Sequence, residues 1–195
     1  MPRSVSERRR LRETFEEAPE LYDRARPSYP EEVFDDLVAF AALPPGGRIL
    51  EIGCGTGKAT LPLARRGFEI VCIELGQGLA AVANRNLAPF SNVEVVNAPF
   101  ERWETDSRFD AVVAFTAFHW IEPQTAYAKS ARLLQDGGAL AVVATKHVPL
   151  LDTYSGHRSI PGEQRKGLYA RIAARIGDGS VRKTYVFLLN VAVRL

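Results

Sequence analysis

Residues 50–60 read LEIGCGTGKAT, with glycine at alternate positions, Gly53, Gly55 and Gly57, and Glu51 just ahead of them. Glycines permit unusual dihedrals and let a ligand come near the main chain. A helix opening behind such a loop offers free N–H groups to a negative group. A Walker loop needs G-x-x-x-x-G-K-[ST]. Counting back from Gly57-Lys58, the first position holds Ile52, and Ala59 follows the lysine. That argues against ATP or GTP binding by this route. A dinucleotide fingerprint needs G-x-G-x-x-G; its third glycine would fall on Lys58 or on Thr60, depending on register, so it fails both ways. What remains is E-x-G-x-G-x-G.

Other residues with chemistry lie further along. His119, in TAFHW, has an imidazole whose ordinary pKa suits proton transfer. It could act as a general base, or it could form a wall together with Trp120. His147 stands at the end of an apolar run and is a candidate for facing a substrate; His157 reads as a capping or packing residue. Cys54 and Cys72 have no metal-ligand spacing, so no metal is expected, and they read as two small, half-buried thiols. No Ser-His-Asp or Cys-His constellation is evident.

The elements that must position these residues alternate. Short apolar runs predict strands at Arg48–Ile52, Phe68–Glu74, Asn92–Asn97, Phe109–Phe115 and Ala139–Thr145. Between them lie helical patterns. Before the first strand, Val33, Leu37, Phe40 and Ala41 share a helix face. KATLPLARRG and GLAAVANRNLA follow the first two strands, and PQTAYAKSARLLQ runs up to a stop at Asp136–Gly138. Continuously apolar strands are covered on both faces. The pattern predicts a doubly wound α/β sheet with right-handed crossovers. Its ligand site lies beyond the carboxyl ends of the strands, where the winding reverses. Past Lys146, Leu168, Ile172 and Ile176 mark an amphipathic helix over 162–177, and Val181–Leu195 reads as a long terminal strand.

The E-x-G-x-G-x-G stretch resembles the first motif of the class I S-adenosylmethionine-dependent methyltransferases. The resemblance continues in order with Glu74 closing the second strand, NAPFERW after the third, FDAVVAFTAFHWIEP at the fourth and LLQDGGALAVV at the fifth. FEEAPELYDRARPSYP, residues 15–30, is similar to the approach segment of the same subfamily. The match covers roughly residues 15–146. It implies a Rossmann-like, mostly parallel sheet with an antiparallel C-terminal strand, and S-adenosylmethionine as cofactor, released as S-adenosylhomocysteine. It implies that Gly53, Gly55 and Gly57 shape the loop around the methionine portion and ribose, with Glu51 arranging that loop. Glu74, with Leu75 beside it, would hold the ribose hydroxyls, since a carboxylate is a double acceptor suited to a vicinal diol. Asn97, Ala98 and Phe100 would form the adenine pocket and Phe115 would adjoin the cofactor. Tyr22 and Arg26 would lie over the cofactor, while Tyr29, His119, Trp120 and His147 would face the acceptor.

The resemblance also implies a gap. Family members carry a longer segment between the fifth strand and the final helix and strand, so part of the substrate cover near residues 148–151 is expected to be missing. The domain reading is a basic arm, 1–14, followed by one methyltransferase domain, 15–195. The reaction implied is methyl transfer to a small-molecule acceptor by direct in-line displacement. Two other readings stand beside it: a catalytically silent domain that binds the cofactor or a partner, and a nucleic-acid methyltransferase. The second rests on the basic arm alone, since TAFHW stands where an Asn/Asp-Pro-Pro-aromatic motif would lie.

The whole chain fits these expectations. Its 195 residues suffice for one core, and 46% hydrophobic and 25% charged residues are those of an ordinary globular protein. A formal charge of +2 gives no argument for a nucleic-acid or membrane partner. No apolar run approaches the roughly 18 residues of a membrane span. Two cysteines without a disulfide framework, and an N-terminus without a secretory signal, fit a cytoplasmic protein.

Overall fold

The computed structural model describes residues 18–147 and 185–194. The basic arm, the join near 148–151, the helix over 162–177 and His157 lie outside the described residues. The chain divides into two compact units, and the first holds described residues 18–144 and 188–194. The second holds, among the described residues, 145–147 and 185–187, all in strand conformation.

The first unit opens with two helices, α1 (Pro19–Ala25) and α2 (Glu31–Phe40). Proline at the start of α1 costs no hydrogen bond there. Glutamates fill the first turn of α2, where the helix dipole favours them. The buried face of α2 is Phe34, Leu37 and Ala41. Phe40, expected inside, is 66% exposed. The Phe34, Leu37, Ala41 stripe (i, i+3, i+7) shares its last two members with the expected one and brings in Phe34, which is fully buried, in place of Phe40.

Then comes the alternating array: β1 (Arg48–Ile52), α3 (Thr60–Arg65), β2 (Glu69–Glu74), α4 (Gln77–Leu87), β3 (Val93–Asn97), β4 (Phe109–Phe115), a 3-10 turn (Phe118–Trp120), α5 (Pro123–Leu133), β5 (Leu134–His147) and β6 (Tyr185–Val193). The sheet order is β3-β2-β1-β4-β5-β6. β1 pairs in parallel with β2 and β4, β2 with β3, and β4 with β5. Gly137 N–H donates to the Arg194 carbonyl at 3.0 Å, and Arg194 N–H donates to the Gly138 carbonyl at 2.8 Å. The early part of β5 thus meets the late part of β6, and β6 runs antiparallel. The winding reverses between β1 and β4, so the crevice expected of such sheets opens at their carboxyl ends.

The expected stop at Asp136–Gly138 falls elsewhere. α5 ends at Leu133, and Leu134 already pairs with Phe109. The pairing shifts register between Phe109 and Ala111, as at a bulge. At Gly138 a side chain would meet the Phe109 carbonyl at 3.0 Å, so that glycine serves the close approach of β4 and β5 rather than ending a helix.

The core is continuous beneath the crevice. Leu50, Ile52, Ile73, Phe109 and Val112 from the strands pack with Phe100, Phe118 and, from α5, Ala126 and Leu133. No helix among the described residues is long and apolar enough to cross a membrane. Among the described residues, no cluster of three or more His, Cys, Asp or Glu could hold a metal ion.

Candidate active site

The glycine loop follows β1 directly, and all three of its glycines have positive φ. Each answers to a different neighbour. A side chain on Gly53, at φ 69°, would lie 2.6 Å from Ala117 Cβ, so this glycine lets the loops after β1 and β4 touch. A side chain on Gly57 would lie 2.9 Å from Leu87, at the end of α4. One on Gly55 would meet only the Tyr22 ring, at 3.7 Å. Two of the three glycines therefore make room for the protein itself, and Gly55 keeps open the space under α1.

Glu74, at the end of β2, ties the loop down. One carboxylate oxygen accepts the Gly55 N–H at 2.8 Å and the other accepts the Gly76 N–H at 2.8 Å. Asn97 completes the corner: its amide donates to the Glu74 carbonyl at 2.9 Å and to the Leu75 carbonyl at 3.0 Å. The Ala98 N–H also donates to the Glu74 carbonyl.

Glu51 lies behind the loop and is fully buried. Thr60 donates its hydroxyl to Glu51 Oε2 at 2.7 Å, and Oε1 is buried with no hydrogen-bond partner among the described residues. Burial pushes this carboxyl up to about 7, against the opposing effect of the Thr60 bond. Cys72 donates to Thr60 Oγ1 at 3.7 Å. Both thiols are buried and free, not half-buried as the sequence suggested. The hydrogen bond with Cys72, followed by burial, raises the Cys54 thiol well above its usual range, which disfavours the thiolate.

A cleft open to solvent lies above these residues. Gly53, Gly55, Glu74 and Leu75 form its floor and one wall. Ala98, Phe100 and Glu101 line the side after β3, and Phe115, Thr116 and Trp120 the side after β4. Tyr22 of α1 reaches in from above, with the Arg26 guanidinium 4.9 Å from its ring centroid.

Two features of the β4 side stand out. Thr116 has φ 57°, a conformation a β-branched residue adopts only under constraint. Its N–H donates to the Val143 carbonyl at 2.7 Å, and its Oγ1 lies 3.1 Å from the Tyr29 hydroxyl. Tyr29 packs edge-on against Phe34 and Phe115. Burial pushes its phenol up to about 12, so it stays a hydroxyl at neutral pH.

Of the residues singled out in the sequence, Tyr22, Gly53, Gly55, Glu74, Leu75, Ala98, Phe100, Phe115 and Trp120 line the cleft. Glu51, Gly57, Asn97, Arg26 and Tyr29 stand behind or beside it. His119 is exposed on the 3-10 turn, its ring 4.6 Å from that of Trp120, while Phe118 points into the core. His147 is the last residue of β5. Sequence reasoning missed Ile52, Ile73 and Leu79, whose apolar side chains read only as core. It also missed Thr116, Ala117 and Ile121. The strain at Thr116 has no signature in residue type, and Ala117 shows itself only as the partner of Gly53.

Residues 49–138 match a protein-family model described as a methyltransferase domain. An uncharacterised methyltransferase of Mycobacterium tuberculosis is 36% identical over 140 residues, covering 70% of this chain and 54% of that protein. A demethylmenaquinone methyltransferase of Clavibacter sepedonicus is 31% identical over 149 residues, covering 70% of this chain and 59% of that protein. The chain thus spans a little over half the length of these relatives. Among solved structures, the [4+2]-cyclase SpnF superposes with a TM-score of 0.54 at 28% identity, over 62% of this chain and 48% of that one. The glycine loop, the strand order and these matches support a likeness to the class I S-adenosylmethionine-dependent methyltransferases, with residues 49–138 matching the methyltransferase domain.

Proposed function

We propose that the chain binds S-adenosylmethionine in the cleft at the carboxyl ends of β1, β2 and β4 and transfers its methyl group to a small-molecule acceptor. The observation that carries this reading is the corner at Glu74. A carboxylate lines the cleft, braced by the amides of Gly55 and Gly76, with the apolar side chains of Ala98 and Phe100 lining the cleft beside it. The residues present suit the cofactor: glycine in place of side chains at the floor, an acceptor pair for a diol, and an apolar slot for a base. When bound, the cofactor supplies a methyl group already activated on a sulfonium.

The chain's own work is then mostly positioning. Glu74 accepts from the sugar hydroxyls while its amide bonds keep it from turning away. Phe100 and Ala98 flank the base. Tyr22 closes over Gly55 and excludes water. The β4 side, with Phe115, Thr116 and Trp120, faces the acceptor. Trp120, its ring tilted 41° to that of exposed His119 at 4.6 Å, shapes that side as a wall, so proton removal need not pass through the imidazole. A cleft lined mostly by apolar side chains with a few polar groups suits a metabolite better than a polymer.

Calorimetry with S-adenosylhomocysteine tests the cofactor half, and absence of binding would end the reading. Glu74→Gln keeps the side-chain shape but loses an acceptor, and should weaken that binding at least tenfold. Glu74→Ala also strips the partners of two amides and should in addition cost about 1–3 kcal/mol of stability. A methyl-transfer screen over cell metabolites tests the acceptor half. His119→Ala should lower turnover less than tenfold; a fall of about a hundredfold or more, the scale of general-base catalysis, would make His119 the base.

The likeness to a cyclase motivates a second reading, a domain that binds the cofactor without transferring its methyl group, since fold alone does not set chemistry. It predicts tight S-adenosylhomocysteine binding and no methylated product from any acceptor pool.

A further inference from the structure

A charged side chain is buried behind the nucleobase side of the cleft. Lys129, on α5, is only 7% exposed. Burying an ammonium group is costly unless it is paired and hydrogen-bonded. Its Nζ donates to the Trp103 carbonyl and, at 3.4 Å, to the Glu101 carbonyl. It lies 3.1 Å from Glu104 Oε1 and 5.2 Å from the Phe100 ring centroid, within reach of a cation–π attraction. Arg132, one turn along α5, donates to the other oxygen of Glu104 at 2.6 Å. That salt bridge holds the carboxyl below the usual carboxylate range, with Lys129 adding to the effect.

Among the described residues, the partners of the ammonium belong to one five-residue segment, Phe100 to Glu104. The segment has little internal order: it leaves β3 through Pro99, whose carbonyl accepts from the Arg102 and Trp103 amides, and it contains no helix or strand. Two of its residues, Phe100 and Glu101, line the cleft. A short irregular turn therefore carries one wall of the site, and a buried cation from the neighbouring helix gathers its carbonyls, its carboxylate and its aromatic ring.

We propose that Lys129 is a positioning residue which clamps the Phe100–Glu104 turn and so sets the fit of the cleft to the base of its ligand. The proposal rests on the cofactor reading above. It does not make Lys129 a contact of the cofactor. Its effect passes through Phe100 and Glu101, and it is confined to the nucleobase end.

The test compares two probes by calorimetry on the full chain. S-Adenosylhomocysteine carries the base; S-ribosylhomocysteine keeps the ribose and amino-acid ends and lacks it. Lys129→Met keeps the unbranched stem and removes the charge. It should raise the dissociation constant of the first probe about tenfold and change that of the second less than twofold. Equal weakening of both would mean a general structural role, and would overturn the proposal, as would a first-probe affinity within twofold of wild type. If wild type binds neither probe, the cofactor reading itself fails and takes this one with it. Should Lys129→Met not fold, Glu104→Ala removes the exposed side of the clamp. It should weaken S-adenosylhomocysteine about threefold and speed amide hydrogen exchange over residues 100–104 several-fold. Unchanged exchange and affinity would overturn the proposal.

Discussion

Glu51 sits where a carboxylate is least comfortable, fully buried with one oxygen unpartnered among the described residues. Its ordinary pKa is 4.5, and in the folded chain it is raised to about 7. Below the lower value the group is protonated in both states. Between the two, only the unfolded state releases the proton, so native stability falls as pH rises and levels off above the folded value. A shift of this size corresponds to about 3 kcal/mol. Glu51→Gln can still accept from Thr60 and carries no charge. Urea denaturation should show the variant gaining on wild type between pH 5 and pH 8, and a constant difference would contradict the burial argument. At Gly53, alanine would combine a strained φ with a 2.6 Å approach to Ala117. Gly53→Ala should cost about 2–4 kcal/mol in the same assay. The glycine spacing was legible as a ligand loop, but the partners that demand two of those glycines come from distant segments, so their packing role was not. Likewise Asn97 reads as a base-recognising amide, and what the sequence does not show is that its amide nitrogen also donates to the Glu74 and Leu75 carbonyls.

At the scale of elements, α1 is the weakest piece of the site. It has seven residues and no buried side chain. Helices that short do not hold themselves together. Arg85 of α4 reaches Glu20 at 2.8 and 3.1 Å, and Lys58 lies 3.7 Å from Asp23. Asn86 donates to Asp23 at 3.5 Å. Partly exposed pairs of this kind contribute about 0–1 kcal/mol each and weaken with salt. Tyr22 therefore hangs over Gly55 on a light tether. Replacing Glu20 and Asp23 together by alanine should speed S-adenosylhomocysteine release about three- to tenfold in stopped-flow measurements, with little change in melting temperature. Raising salt should do the same to wild type and not to the variant. Identical release rates would mean that α1 does not cover the ligand. β1, β2 and β4 were readable to within a residue because they are apolar runs buried on both faces, whereas β5 starts at Leu134 rather than Ala139 and runs on to His147. α1 was not read as a helix, since PELYDRA has no apolar stripe. The end of α5 was misplaced because Gly137 and Gly138 look like a helix stop, whereas they serve the bulged start of β5.

For the molecule as a whole, the alternation of short apolar runs with helical stripes was enough to give the doubly wound sheet and the place of its crevice. The antiparallel β6 came from family likeness, and its pairing is seen in the two bonds between Arg194 and Gly137–Gly138. The side chain of Arg194 strengthens that join, reaching the Leu134 and Ala131 carbonyls and, at 3.2 Å, Asp136. Such long-range ties are invisible in a local pattern, because nothing near residue 194 announces a partner sixty residues earlier.

That late pairing has a consequence during synthesis. β5 ends at His147 and its neighbour β6 begins at Tyr185, so the ribosome must add 37 residues between them (148 to 184). At about 5–20 residues per second, β5 waits roughly 2–7 seconds with one backbone edge unpaired. A nascent chain in that interval is a template for a neighbour on the same polysome, and slowing translation after codon 147 should lower the yield of soluble protein.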